Sequence, residues 1–283
     1  MHTNLPIRAE IGPTDLLCIN KKFHDQPVKP RQAAFVERFL AGAEYAGQPA
    51  HLVSYHEACN YPVSNPWHIR GMKFTAAIND CWRIGRTFYY TDNAYLGNVR
   101  TKTWFRIIKD HVHDIRPIIP RAGDRLNVCD FYTLPRTAGR KILIAPPSVK
   151  SFSLWDMDPE VWVAEVIGQL KAFTDRPIEI RLKRPRADRL AENTMYEALA
   201  DDVHCLITYN SVAAVEAVML GKPAICLGPN AASVVSSTEL SEVENPKFPT
   251  DDEREAWLRH LSYSQFTFSE MSDGTAWTIL NTV

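Results

Sequence analysis

The chain has 283 residues, 45% of them hydrophobic, with a formal net charge of -1, so it can build one large domain or two modest ones and presents no global field that would attract nucleic acid. Its six cysteines, at 18, 59, 81, 129, 205 and 226, are scattered without a C-x-x-C pair, which excludes a disulfide scaffold or zinc site and fits a reduced cytoplasm. No apolar run reaches eighteen residues and no basic-then-apolar leader is present, so the expectation is a cytoplasmic protein without a membrane span.

In chain order, 16–19 is a strand candidate and 21–31 a polar loop. Phe35, Phe39, Leu40 and Ala43 give 32–45 helical spacing, with Gly47 as its stop. The stretch 51–54 reads as a second strand. The segment 55–68, YHEACNYPVSNPWH, is polar and broken by prolines, so it reads as a loop past a strand end, where function concentrates. A helix over 71–82 and a strand over 87–91 follow. The segment 100–113 interleaves Arg100, Lys102, Arg106, Lys109, His111 and His113 with Trp104 and Phe105. Its spacing predicts a helix with Trp104, Phe105, Ile108 and Val112 inside. The same residues suit a phosphate backbone and unstacked bases, and the two readings are compatible. Three prolines in 116–140 mark a junction, dividing the chain into domains 1–137 and 138–283.

The second half is more regular. It predicts strands over 141–145, 178–182, 203–208 and 223–227. The helices are a stripe of Trp155, Trp162, Val166, Leu170 and Phe173, then 187–199 and 212–220. Gly221 sits at a left-handed C-cap, and Pro223 prevents the last of these helices from continuing. Thr250 with Glu253 and Thr267 with Glu270 form capping boxes, which predict two tail helices. That they pack back on the first domain is a general expectation for a last helix after a completed α/β domain, not something the spacing shows. Alternating strands and helices predict an α/β fold with parallel sheets, which bind ligands beyond the carboxyl ends of their strands. Loops 146–153, 183–186 and 209–211 would meet there.

Those loops hold Ser148, Lys150 and Ser151, then Arg181, Lys183, Arg184 and Arg186 around the second, then Asn210 and Ser211. Cations facing a helix start suit a pyrophosphate, and Glu216 leans back toward that start, within reach of a ribose diol. The plainer reading makes Ser211 a cap, Glu216 a helix edge and the cations a solvated rim. No G-x-G-x-x-G, P-loop, H-E-x-x-H, G-x-S-x-G or EF-hand pattern occurs, which disfavours simple NAD binding or a P-loop nucleotidase. A general base would come from the first half: Asp92, His56, Glu57, His24 or Asp25. Asp92 leads, since it combines a strand end with flanking tyrosines and Gly97.

The stretch ITYNSVAAVEAVMLGKPAICLG resembles the nucleotide-sugar half-site of GT-B glycosyltransferases, especially capsule-type sugar transferases. Together with YYTDNAYLG, IEIRLKRP and REAWLRHLSYSQFTFSEMSDGTAW it resembles small phage-encoded proteins of that fold. The resemblance implies two Rossmann-like domains with a cleft between them, the acceptor on 1–137 and the donor on 138–283. It places Ser211 on the diphosphate, Glu216 on the ribose and Lys183 on a phosphate. It also implies a UDP-sugar co-substrate with neither metal nor other cofactor. The chain is short for such a protein and lacks the glycine-rich N-terminal loop of many members. With a phage origin the acceptor would be a hydroxymethylated pyrimidine in double-stranded DNA. Tyr95 or Trp104 would then fill the gap left by a flipped base, and Arg100, Lys102 and Arg106 would hold the backbone. The alternatives are a surface-polysaccharide transferase, a sugar-nucleotide epimerase, or a non-catalytic binding protein on the same fold.

Overall fold

The computed structural model describes residues 10–23, 25, 30–97, 103–129, 131–183 and 194–282. The first half runs β1 (Leu16–Lys21), α1 (Pro30–Tyr45), β2 (Ala50–Ser54), α2 (Tyr55–Ala58), β3 (Trp67–Arg70), α3 (Thr75–Ile84), β4 (Phe88–Asn93) and β5 (Phe105–Lys109). The second runs β6 (Lys141–Ile144), α4 (Val149–Leu154), α5 (Pro159–Leu170), β7 (Ile178–Ile180), α6 (Met195–Ala200), β8 (Val203–Thr208), α7 (Ala213–Met219) and β9 (Ala224–Cys226). The tail is α8 (Asp251–Ser262), β10 (Gln265–Phe266), α9 (Phe268–Ser272) and α10 (Thr275–Asn281).

Among the described residues the strands form two sheets, ordered β10-β5-β4-β3-β1-β2 and β7-β6-β8-β9. The second is parallel throughout; the first is parallel from β4 to β2, with β5 and β10 antiparallel at its other edge. Short apolar runs such as Leu206 and Ile207 in β8 or Ile142 to Ile144 in β6 are fully buried because helices cover both faces. In the first sheet the order reverses between β1 and β3. In the second it reverses between β6 and β8. Each reversal opens a crevice at the strands' carboxyl ends, because the connections leave in opposite directions there.

The tail closes the molecule. Thr250 and Thr267 cap α8 and α9 through reciprocal bonds with Glu253 and Glu270. β10 then adds to β5, with Gln265 opposite Arg106. Met271, Ala276 and Leu280 bury against Phe35, Phe39 and Ala43 of α1. Gly42 makes this contact possible: a Cβ there would stand 1.8 Å from the Met271 carbonyl oxygen. Arg125 ties the linker to the tail, donating to Ser262 O, Gln265 O and Glu270 Oε1. A continuous apolar cluster runs from Tyr95, Leu96, Trp104 and Ile108 to Leu143, Leu206, Val215 and Trp257. The facing surfaces of the two sheets therefore share one core.

Several expectations are corrected. The segment expected to be a helix around 104–113 is strand β5, in which Phe105 and Ile107 turn to the α1 side while Arg106 and Ile108 turn to the other. Both faces are covered, and this erased the alternation that marks a half-buried strand. The expected loop 55–68 contains helix α2, capped by Ser54, and the start of β3. β3 was hidden by His68, which is buried with Nε2 2.8 Å from Thr91 Oγ1. The expected loop 146–153 contains most of α4. The expected helix 71–82 is a 3₁₀ turn, Met72–Phe74, followed by α3. The second tail helix breaks at Gly274, which adopts φ 85 at the start of α10. Of the expected helix 187–199, only α6 and Thr194 fall within the described residues.

Candidate functional site

The crevice of the second sheet lies between the segments that follow Ile144 of β6 and Thr208 of β8. The two segments are bonded to each other. Thr208 Oγ1 donates to Ala145 O at 2.6 Å, and Ser151 Oγ donates to Asn210 Oδ1 at 2.9 Å. Asn230 Nδ2 holds Ser211 O at 2.9 Å from the next loop. Gly228 leaves room for the Tyr209 ring, which a Cβ would meet at 2.6 Å. Asn210 is buried, and its Nδ2 has no hydrogen-bond partner among the described residues. A buried amide N–H left without a partner costs about 1–3 kcal/mol, so this group is a candidate donor at the switch point of the sheet, the place where parallel sheets in general take their ligands. Ser148 is half-buried at the same edge, and Lys150 is exposed.

Ser211 Oγ accepts from the Ala213 N–H at 3.3 Å, but the N-cap of α7 is Val212, which makes no side-chain cap bond, so Ser211 is not the expected cap. Helix α7 has seven residues rather than the nine expected, so its dipole is small and most of the positive potential comes from side chains. Those are Lys183 and Arg181. Both act on Glu216, half-buried on α7. Burial raises the Glu216 carboxyl from its usual 4.5 to about 7, with Lys183 and then Arg181 opposing the rise. Lys183 and Ser211 each lie three residues past the ends of β7 and β8, strands separated by β6 whose ends are about 10 Å apart. Arg184 and Arg186 lie outside the described residues.

From the first sheet, Asp92 is the penultimate residue of β4, inside the strand and opposite Arg106 rather than directly after the strand as expected. Its Oδ1 accepts from Arg70 Nη1 at 3.0 Å and from the Asn93 N–H at 2.8 Å. Its Oδ2 accepts from the Tyr90 hydroxyl at 2.7 Å and lies 3.8 Å from Arg106 Nη2. Burial pushes the carboxyl up, but Arg106, Arg70 and the Tyr90 hydroxyl outweigh it and hold it well below the usual carboxylate range. Such a carboxylate is a weak proton acceptor at neutral pH. The geometry makes Asp92 the anchor of two guanidiniums. His56 is exposed on α2 beside the Phe23 ring, and α2 follows a strand three places from β4, about 14 Å along the sheet. Glu57 accepts from the Ser54 N–H as part of its cap, and Asp25 is exposed. His24 lies outside the described residues.

The residues expected to hold DNA are not arranged for it. Tyr95, Trp104 and Arg106 are 5%, 7% and 4% exposed. The Tyr95 hydroxyl accepts from the Asp114 N–H at 3.0 Å, and Arg106 donates to Asn93 O at 2.7 Å and Val112 O at 3.3 Å. These groups are spent inside the core, where neither a phosphate nor a flipped-out base's gap can be reached. Arg100 and Lys102 lie outside the described residues.

One residue of that segment matters in another way. After β5 the chain doubles back along the sheet, so that Val112 packs with Tyr90 and His113 reaches the second half. His113 Nδ1 lies 3.3 Å from the Tyr95 hydroxyl, and its ring meets the main chain of Asn210. Burial, then Arg106 and His111, hold its imidazole well below the usual value, so it is neutral. Beside it Trp82 of α3 stacks on Trp155 with centroids 5.2 Å apart, and Trp155 meets Tyr209 edge-on at 5.9 Å. The loop after β8 thus packs, partly through Trp155, against α3 and the segment that follows β5. Nothing in the local pattern of 100–113 signalled this, because it depends on the reversal after β5. Among the described residues no group of three or more His, Cys, Asp or Glu side chains is placed to hold a metal ion, and no helix is long and apolar enough to cross a membrane.

No protein-family model and no curated protein sequence matches the chain. Solved structures do. The chain is similar to two Thermosulfurimonas dismutans KpsC structures. To the β-Kdo 2,4-transferase it has 12% identity and a TM-score of 0.48, over 88% of this chain and 91% of that one. To the β-Kdo 2,7-transferase it has 12% identity and a TM-score of 0.49, over 95% and 99%. It is also similar, at 10% identity and a TM-score of 0.25 over 81% and 87%, to an ABC sugar transporter subunit from Rhodobacter sphaeroides 2.4.1.

Proposed function

We propose that the chain is a GT-B-like glycosyltransferase, which moves a sugar from a nucleoside-diphosphate donor to a hydroxyl group on an acceptor. The observation that carries this reading is the grouping of Glu216 with Lys183 and Arg181 at the carboxyl edge of a parallel sheet, beside the buried Nδ2 of Asn210. Two cations there match a departing diphosphate, whose negative charge grows as the glycosidic bond breaks. Fixed cations in a partly desolvated crevice stabilise that charge without reorganising. Glu216, near its midpoint at neutral pH, can both accept from and donate to a ribose diol. The facing edge of the first sheet, with Arg70 of β3 and Asp92 of β4, supplies the acceptor side. In this reading Asp92 is a fixed charge that positions Arg70 and Arg106. The acceptor enters as a hydroxyl-bearing molecule rather than as a base lifted from duplex DNA, since Tyr95, Trp104 and Arg106 are buried.

Thermal unfolding with UDP tests the donor half. Ligand at about 100 times its dissociation constant should add about 2.7 kcal/mol of stability. Glu216→Ala and Lys183→Ala should each cut that gain to about half or less at the same UDP concentration. Release of UDP from a UDP-sugar, measured with and without hydroxyl acceptors, then separates transfer from donor binding alone. Absence of any stabilisation by UDP or by other nucleoside diphosphates would overturn the reading.

A further inference from the structure

The amino edge of the second sheet, opposite the crevice, holds another cavity. It measures about 470 Å³ and is lined by Arg136, Arg176, His204, Pro223 and residues 137–139. Topology places it there: residue 139 precedes β6, His204 is the second residue of β8, and Pro223 precedes β9. β8 is six residues long, so this edge is about 20 Å from Asn210 and Ser211. The cavity is therefore separate from the proposed donor site, and its size falls in the usual range for small ligands.

Its charge is one-sided. Arg176 Nε bonds Glu244 at 3.0 Å, and its Nη1 donates to Gly139 O at 3.3 Å, which fixes the guanidinium at the wall. Arg136 is exposed, lies over the Phe248 ring at 5.6 Å, and makes no ion pair among the described residues. Lys222 adds a third cation behind the wall, buried, with Nζ 2.9 Å from Val203 O and 3.4 Å from Ala138 O. Against these three stands Glu244; Asp202, the next nearest carboxylate, is bonded by Arg140 at 2.6 Å. His204 faces the same space with Nε2 2.8 Å from Val243 O. Burial pushes its imidazole down, Val243 O and Glu244 push it up, and Arg176 and Arg136 push it down further. The ring therefore senses both guanidiniums.

We infer that this cavity binds an anionic group, a carboxylate or phosphate on a small molecule, held between the Arg136 and Arg176 guanidiniums. Two planar forks on one concave wall suit the two oxygens such a group offers, and Arg136 needs only to swing from its aromatic rest position to complete the pair. The site does not depend on the sugar-transfer reading.

Nuclear magnetic resonance on the full chain tests it, with inorganic phosphate and a uronic-acid disaccharide as separate probes. The His204 ring and the Gly139 amide should shift saturably with at least one probe. The His204 titration midpoint should rise when the anion is bound, because the anion offsets the two guanidiniums. Arg136→Gln leaves the recorded hydrogen bonds intact and should weaken binding about tenfold or more, the loss expected for one charge-assisted hydrogen bond. Phosphate alone saturating, or the uronate alone, identifies the source of the anion. No saturable shift with either probe up to roughly 10 mM, or saturation unchanged in Arg136→Gln, overturns the inference.

Discussion

Replacing Glu216 by Gln should make the protein more stable at alkaline pH while weakening its grip on the donor. The reasoning starts from the raised carboxyl of Glu216. An ordinary glutamate titrates near 4.5, and in the folded chain burial lifts Glu216 to about 7 even with Lys183 and Arg181 opposing. The folded state thus binds the proton more tightly than the unfolded state does. Below pH 4.5 both states are protonated and the residue costs nothing. As pH rises from 4.5 to 7 the unfolded chain ionises first, and stability falls. At about 1.4 kcal/mol per pK unit the full loss is about 3 kcal/mol, complete above pH 7. Glutamine has nearly the same shape and never ionises. Glu216→Gln should therefore match the parent near pH 4 and exceed it by about 3 kcal/mol near pH 8, as read by urea unfolding at the two values. Isothermal titration with UDP at pH 8 should show the variant binding more weakly, because an ionised acceptor for the ribose hydroxyls is lost. A destabilising carboxylate that improves ligand binding is the signature of a functional group. Equal stability of the two proteins at pH 8, or a gain that does not vary with pH, would refute the argument.

Other substitutions separate the remaining roles. Lys183→Ala and Arg181→Ala should each weaken UDP binding by about ten- to a hundredfold, the worth of a charge-assisted hydrogen bond, with little change in urea midpoint; a titration curve matching the parent's would remove that residue from the donor site. Asp92→Asn should destabilise by about 3–5 kcal/mol at pH 7, since it strands Arg70 and Arg106 with less compensation. The Asp92 carboxylate is held well below its usual range, so this contribution is complete above about pH 4 and is lost as pH falls below it; a stable Asp92→Asn protein that has lost only a pH-dependent rate would restore it as the general base. Gly42→Ala should lower stability by about 1–3 kcal/mol, because the new Cβ would collide with the Met271 carbonyl and force α9 away from α1. That outweighs the gain of up to about 1 kcal/mol in helix propensity, and a variant more stable than the parent would show that α9 shifts at no cost.

The parts of the fold that were legible share one property: their burial comes from apolar side chains. β6 and β8 with their short apolar runs, Gly221 at φ 75 after α7, and the Thr250 and Thr267 caps could all be read directly. The parts that misled contain buried polar groups whose partners are remote in sequence. β3 hid behind His68, which needs Thr91, and β5 hid behind Arg106, which needs Asp92. The candidate site divides along the same line. The placement of Asn210, Ser211, Glu216 and Lys183, the residues of the proposed donor side, follows from strand ends and a topological rule, and those can be inferred from spacing. The first-sheet side cannot, because His113 arrives there only after a chain reversal.

This division has a chemical consequence at Asp92. Read as a strand-end carboxylate between tyrosines, it has the appearance of an exposed base. The segment 100–113, expected to be a helix with its charges outside, leaves Asp92 without a cross-strand partner in that reading. With β5 in the sheet, Arg106 instead lies opposite Asp92 in register and is buried, while Arg70 comes from β3 on the other side. The pairing that concealed β5 is thus the one that removes Asp92's basicity. It also holds Arg70, half-buried at the end of β3, against Asp92, while Arg106 stays inside the core. In the proposed reading the first sheet offers the held positive charge of Arg70 on a rigid strand end, which favours acceptors that present a negative group or a hydroxyl oxygen.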